Sequence, residues 1–317
     1  MKLRYLPLLA SGLLAASTAS AALNIPTVLV GDAGNPNDST GFGGVSYDYH
    51  IGKYEVTNSQ YTAFLNATAK TDTHGLYNTK MNSFTHGGIT RAGSSGSFTY
   101  SVKSGFGDKP VNFVSFWDAA RFSNWLTTGN TETGVYVLDA TGISNNTISR
   151  DATAWANGGV AVASENEWYK AAYYDPSATG PSDDYWLYPT QSDTQPNNGN
   201  PPGGTNSANY DSNPDTLTNV GAYVNSSSHY GTFDQGGNVW EWNDEILSTS
   251  ERGARGGSFD DVDFSPQSST RISPTSTFEN DSVGFRVSSL APIPEPSAYA
   301  VILGCLGLLL ALRGRRT

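Results

Sequence analysis

The sequence predicts an α+β fold, a single domain of short helices, short strands and long loops over residues 22–290, flanked by ends of a different character. Three observations lead there. Three segments carry their own helix-start signals, five apolar runs have the length of brief strands, and stretches rich in Gly, Asn, Ser and Asp separate them. Composition agrees. Of 317 residues, 37% are hydrophobic and 12% aromatic, enough for a packed core, while 34 Gly, 16 Pro and only 15% charged residues suit turns better than a helical bundle. No repeat of fixed period and no linker interrupts the domain.

Taken in order, Thr27–Val30 is the first strand candidate and Val45–Tyr54 the second, with a long polar loop, Gly31–Gly44, between them. Thr57-Asn58-Ser59-Gln60 then opens a helix. The Thr57 hydroxyl can accept from an orphan backbone N–H, Gln60 can answer it, and Tyr61, Phe64 and Leu65 fall on one face. Phe98–Val102 reads as a strand. Ser115-Phe116-Trp117-Asp118 opens a second helix that continues through Ala119, Ala120, Phe122 and Trp125. Val135–Leu138 is a further strand candidate, and Ser164-Glu165-Asn166-Glu167 starts a third helix holding Trp168, Ala171 and Ala172. Pro189–Asn213 is another long polar stretch, and loops of this length are uncommon unless they bind something, pack on the surface or are disordered. In Gly237–Trp242 the two indoles stand two apart. An extended backbone there puts both on one face and Glu241 on the other. Val283–Val287 is the last strand candidate.

The ends read as targeting segments. Residues 1–21 have a basic start (Lys2, Arg4), an apolar run from Leu6 to Ala16, and Ala19-Ser20-Ala21 before Ala22, the three parts of a secretory signal peptide. In residues 291–317, Pro292-Ile293-Pro294-Glu295-Pro296 precedes an apolar stretch, Ala298–Leu312, closed by Arg313, Arg315 and Arg316. That stretch is short against the roughly 20 residues of a full span. Its basic stop nonetheless reads as a C-terminal membrane anchor with the arginines cytoplasmic. Pro294-Glu295-Pro296, the apolar segment and the Arg cluster resemble the PEP-CTERM sorting signal of Gram-negative bacteria that make extracellular polysaccharide. The resemblance implies an exosortase that removes the tail. The precursor would be held in the inner membrane by this segment and then passed to the cell surface or extracellular matrix.

Charge and sulfur exclude several functions. The chain carries 18 Lys+Arg and 29 Asp+Glu, and without five basic and one acidic residue of the two ends the rest holds 13 and 28, a net charge near −15. Such a surface repels nucleic acid and anionic lipid and suits divalent cations or neutral partners. The only cysteine is Cys305 in the apolar tail, so residues 22–290 offer neither disulfide nor thiol chemistry.

Several segments, in order, resemble the sulfatase-modifying-factor family, also called the formylglycine-generating enzyme family. They are Ile51–Tyr61 (Ile-Gly-Lys-Tyr-Glu-Val-Thr-Asn-Ser-Gln-Tyr), Lys109–Ala120 with Asn124-Trp125-Leu126, Ala163–Ala172, Gly237-Asn238-Val239-Trp240-Glu241-Trp242, and Arg255-Gly256-Gly257-Ser258-Phe259 with Gly284-Phe285-Arg286-Val287. The resemblance implies a distant C-type-lectin-like fold with calcium in its loops. Carried over by position, one calcium site would take a side-chain oxygen of Asp234, the backbone carbonyls of Gly237 and Val239, and the Glu241 carboxylate. A second would begin at Asn209 and Tyr210, with Asp211 or Asp215 among its remaining ligands. Calcium takes 6–8 oxygens from such mixtures of carboxylate and carbonyl. The residues alone leave another role open for Glu241, a structural ion pair with Arg255 or Arg286.

The departure from the family concerns catalysis. In the enzymes that make formylglycine, two cysteines after the Gly-Gly-Ser motif bind copper as thiolates; here Asp261 and Pro266, or a close neighbour, stand in those positions. Hard carboxylates do not replace soft copper-binding thiolates. Other relatives bind non-haem iron through histidines, but His50, His74, His86 and His229 show no His-x-Glu or His-x-x-x-His pairing. A triad assembled from distant residues stays open. Asp260, Asp261 and Asp263 read as a solvated turn or a cation loop, as does the Asp32–Asp38 stretch. No Gly-x-Ser-x-Gly, phosphate loop or zinc spacing occurs. The expectation is a surface-displayed ligand-binding or matrix protein on a calcium-stabilised scaffold. Its partners would be extracellular polysaccharide or another surface protein. The alternative is a metal-dependent oxidoreductase of the non-haem iron type.

Overall fold

Each of the three hydroxyl-led signals opens a helix in the computed structural model, which describes residues 23–293 except 178, 179, 182, 263 and 264. The targeting segments expected at residues 1–21 and 291–317 therefore lie almost wholly outside the described residues. Among the described residues no helix is long and apolar enough to cross a membrane.

In chain order the elements are β1 (Thr27–Val30), β2 (Tyr49–Gly52), α1 (Asn58–Thr68), α2 (Lys80–Ser83), β3 (Ile89–Ala92), β4 (Thr99–Val102), α3 (Phe116–Thr128), α4 (Ala140–Ser144), α5 (Ala152–Ala156), β5 (Ala161–Val162), α6 (Glu165–Tyr173), β6 (Trp240–Ile246), β7 (Arg252–Arg255), β8 (Val283–Phe285) and β9 (Val287–Ser289). Helices α1, α3 and α6 each begin with a reciprocal capping box, Thr57 with Gln60, Ser115 with Asp118 and Ser164 with Glu167. Two orphan donors are thereby satisfied at each start. Gly129 ends α3 in the left-handed conformation (φ 78°), which a residue without Cβ adopts at little cost.

The strands form a four-stranded sheet in the order β1-β2-β9-β5, a hairpin β3-β4, and a three-stranded sheet β7-β6-β8. All pairings are antiparallel except β6 with β8, where Trp240, Glu241 and Trp242 lie beside Val283, Gly284 and Phe285. The expected strand Val283–Val287 is in fact two strands of two different sheets, broken at Arg286. Two other expected strands also shrink, for one reason. Val135–Leu138 forms no strand because the Asn124 amide on α3 takes the place of a neighbour, accepting from Tyr136 N (2.9 Å) and donating to Tyr136 O (2.8 Å). Asn35 does the same for Val45, accepting from its N–H at 3.1 Å, so only Tyr49–Gly52 of Val45–Tyr54 joins a sheet.

The two faces of the packing are aromatic. Tyr49 and Ile51 of β2 meet Trp168, Tyr169 and Tyr173 of α6, with Tyr174 and Tyr185 beside them. Tyr61 and Phe64 of α1 meet Phe122 of α3 at ring-centroid distances of 6.1 and 5.4 Å, and Phe122 meets Phe285 of β8 at 5.4 Å. Burial of such side chains stabilises by about 1.5–3 kcal/mol each.

Candidate functional site

Strand β6 splits its side chains as the alternation requires. Trp242 turns inward, its indole N–H donating to Val114 O at 3.0 Å, and Trp240 donates to Asp261 Oδ2 at 2.6 Å. Glu241 points to the opposite face, fully buried against Trp168 of α6 and Arg286. There Arg286 grips it with two bonds, Nε to Oε2 at 2.5 Å and Nη2 to Oε1 at 2.6 Å, and Trp168 donates to Oε2 at 2.8 Å. The remaining Arg286 donors reach Gly52 O (3.0 Å) and Phe233 O (2.9 Å). Arg255 does not share Glu241. It pairs with Glu165 at 2.7 Å, whose other oxygen takes Arg271 at 2.9 Å.

Around this pair lies a polar core with more acid than base. Asp234 adopts a left-handed conformation (φ 61°) and accepts from Gly221 N at 2.5 Å. Burial pushes its carboxyl up to about 6, with the Glu241 charge adding, while the Gly221 amide and Arg286 oppose. Glu55, at the end of the β2 segment, is pushed well above the usual carboxylate range, first by burial and then by Asp234 and Glu241. Its Oε1 accepts from Asn238 at 3.0 Å, and its carboxyl also shares a side-chain hydrogen bond with Asp234. Asn238 also accepts from Asn209 Nδ2 at 3.2 Å, and the buried Oδ1 of Asn209 is left without a partner.

The residues singled out for calcium thus come together in part. Asn209 and Gly237 sit side by side in a parallel bridge, Asn238 N donating to Asn209 O at 2.8 Å. Gly237 (φ 87°) is required there, because a Cβ would run into the Asn209 carbonyl. Val239 is buried with Leu217 and Phe259. Tyr210 is also buried, its hydroxyl donating to Pro196 O at 2.5 Å, while Asp211 and Asp215 are exposed. A stranded buried oxygen, Asn209 Oδ1, is what a hard cation satisfies. Glu241 fits that role less well, since Arg286 and Trp168 already occupy both its oxygens. Among the described residues no three His, Cys, Asp or Glu side chains converge as a metal cluster.

The loop after Gly257 shows what stands in place of the two cysteines. Ser258 is buried, and its hydroxyl lies within bonding distance of Asp260 Oδ1 (2.7 Å) and of Asp261. Asp261, half-buried, thus accepts from an indole and a hydroxyl, and its backbone oxygen accepts from Asp211 N at 2.7 Å. Pro266 is buried, its carbonyl taking the Tyr173 hydroxyl at 3.0 Å. Asp263 lies outside the described residues. Beside this loop the His86 ring meets Phe259 at 4.6 Å and pairs with Asp281 at 3.1 Å. His74 pairs with Glu132 and His229 with Asp175, while His50 lies on β2, so no two of the four share a partner.

Glu55 and Asn238, which tie the core together, had a signal in the sequence, since both stand inside segments already set apart, but nothing there separated buried from exposed polar residues. Glu167 escaped for the same reason. It caps α6 and also holds Arg150 at 2.8 Å, which reaches Asp244 at 2.5 Å.

Comparison with known proteins adds the following. The family described as sulfatase-modifying factor enzyme 1-like domain matches residues 38–290. Among solved structures the chain is similar to CarF, at 21% identity and a TM-score of 0.56, over 85% of this chain and 99% of that one. It is also similar to the Treponema denticola variable protein 1, at 18% identity and a TM-score of 0.50, over 86% and 99%. PvdO from Pseudomonas aeruginosa aligns at 16% identity with a TM-score of 0.44, over 84% and 92%. At such identities the likeness to the first two concerns the fold alone. A comparison with curated proteins finds no match.

Proposed function

This chain belongs to the sulfatase-modifying factor enzyme 1-like domain family, and from that premise we propose that it is a non-enzymatic, surface-displayed binding module that has left formylglycine chemistry behind. Asp261 carries the reading. Where the oxidases have a copper-binding thiolate, this chain has a carboxylate already occupied by the Trp240 indole and the Ser258 hydroxyl. A hard oxygen ligand does not hold copper(I) for oxygen activation. The chain's single sulfur nucleophile, Cys305, belongs to the apolar tail and not to this domain.

The scaffold in this reading is stabilised by calcium. One site would take a side-chain oxygen of Asp234, the backbone carbonyls of Gly237 and Val239, and Glu241, whose oxygens Arg286 and Trp168 already hold; a second would begin at Asn209 and Tyr210. When bound, the ion supplies charge to a core that has three carboxylates and one guanidinium. The signal peptide and sorting tail read from the sequence support export, exosortase processing and display where extracellular polysaccharide or another surface protein is the partner.

The test is retention of the host's own exopolysaccharide by the purified protein, and no retention above a control protein removes the binding reading. A formylglycine assay on a cysteine-containing sulfatase peptide is expected to give no product, and conversion would contradict the argument from Asp261. Metal analysis separates the rival class: calcium alone supports a binding module, whereas stoichiometric iron or copper with oxygen consumption establishes a redox enzyme.

A further inference from the structure

Away from the β6 core, the loop Gly31–Gly44, the segment after α6 and the turn at Ser268 together enclose an open groove of about 480 Å3. That is within the about 300–1,000 Å3 range of small-ligand clefts. Its lining is unusual in sign. Asp38, Asp183 and Asp193 contribute carboxylates, Ser39, Thr40, Ser268 and Ser269 hydroxyls, and none of the described lining residues is Lys, Arg or His. Two aromatic side chains complete it, Tyr185 and Trp186, and both are fixed by their polar ends. The Tyr185 hydroxyl donates to Pro36 O and accepts from Asn35 Nδ2, each at 2.8 Å, and the Trp186 indole N–H donates to Asp175 Oδ2 at 3.1 Å. Tyr185 is buried among Tyr169 and Tyr174 and forms the floor, so the surface left for a ligand is the apolar face of the half-buried Trp186. The carboxylates are held as well: Asp38 accepts from Ser39, Thr40 and Tyr169, and Asp193 Oδ1 accepts from Leu187 N at 2.9 Å.

We infer that this groove binds a short run of neutral or amino sugars in a polysaccharide; the inference rests on the binding-module reading and gives that module its ligand class. A pyranose has one C–H-rich face, which packs on a fixed aromatic ring, and a rim of hydroxyl donors, which carboxylates accept more strongly than neutral groups do. The same lining discriminates. A uronate or sulfated sugar would bring a second negative charge into a groove with no lining cation to receive it.

The experiment is calorimetric titration of the purified protein with three probes: cello-oligosaccharide, chito-oligosaccharide and oligogalacturonate. At least one of the first two is expected to bind and the third is not. Ser269→Trp, at an exposed position, fills the groove without touching the core, and Asp193→Asn removes one acceptor charge; each is expected to weaken binding about tenfold or more. Trp186→Ala should do the same, with circular dichroism checking that it folds. A control lies in a separate groove of about 510 Å3, where Trp155 is stacked on Arg150 at 4.2 Å; Trp155→Ala should leave binding unchanged. Preference for oligogalacturonate, or loss of binding in Trp155→Ala but not in Ser269→Trp, overturns the inference. Exopolysaccharide retention that survives Ser269→Trp also overturns it and leaves the binding module standing. Absence of both oligosaccharide and exopolysaccharide binding removes both.

Discussion

Arg286 and Glu241 show at the scale of single residues how much depends on a paired charge. Both are wholly buried, so removing the guanidinium leaves an anion with no water to solvate it. Arg286→Met is expected to destabilise by about 3–5 kcal/mol in chemical denaturation, and adding Glu241→Met should restore part of that loss, because breaking a buried pair costs more than replacing both partners. The sequence made the alternation of Trp240, Glu241 and Trp242 legible, and with it the polar environment of Glu241. Which arginine answers was not legible, since Arg255 and Arg286 both stand in motifs of the same family. The choice depends on β8 lying parallel to β6, a long-range pairing with no local signature. Asp261 was legible as a departure from the family and not as a hydrogen-bonded group, because Trp240 and Ser258 reach it only through the fold.

Elements fared according to how local their causes are. The three helix starts were readable to the residue because a cap and its partner lie within one turn. Thr57→Ala is accordingly expected to cost about 1 kcal/mol, measured by thermal or urea unfolding. Strand extents were misread at Val45 and Val135, where a side-chain amide from elsewhere substitutes for a neighbouring strand, and no single-segment pattern reports that. The start of α3 carries a second, pH-dependent consequence. Glu279, half-buried next to Asp118 and hydrogen-bonded with it, has its carboxyl pushed up from 4.5 to about 7, burial being the larger cause and the Asp118 charge the next. The folded chain therefore holds a proton that the unfolded chain releases near pH 4.5. This contribution is present below that pH and is lost as pH rises towards 7. Glu279→Gln should flatten the fall in stability between pH 4.5 and 7 in a series of melts; an unchanged slope would show that the proton sits elsewhere.

On the scale of the whole molecule, the calcium-stabilised scaffold proposed above makes a prediction for a chain of net charge −11. Calcium added to chelator-treated protein is expected to raise the melting temperature, by about 2.7 kcal/mol of stabilisation at a hundredfold excess over its dissociation constant, with magnesium much weaker at the same concentration. Differential scanning fluorimetry with both ions reads this directly. The family was legible from words scattered over most of the chain, whereas the groove between Asp38 and Trp186 was not, because its walls come from segments about 150 residues apart.

Arg286 occupies the one position between β8 and β9, with a strand of each sheet on either side, and its guanidinium touches β2 of one sheet and β6 of the other. A rivet through two plates lets neither peel away first. The sheets should accordingly melt as one cooperative unit, and amides of Ile51 and Trp242 should exchange with deuterium at a common, slow rate that diverges once the rivet is cut by Arg286→Met.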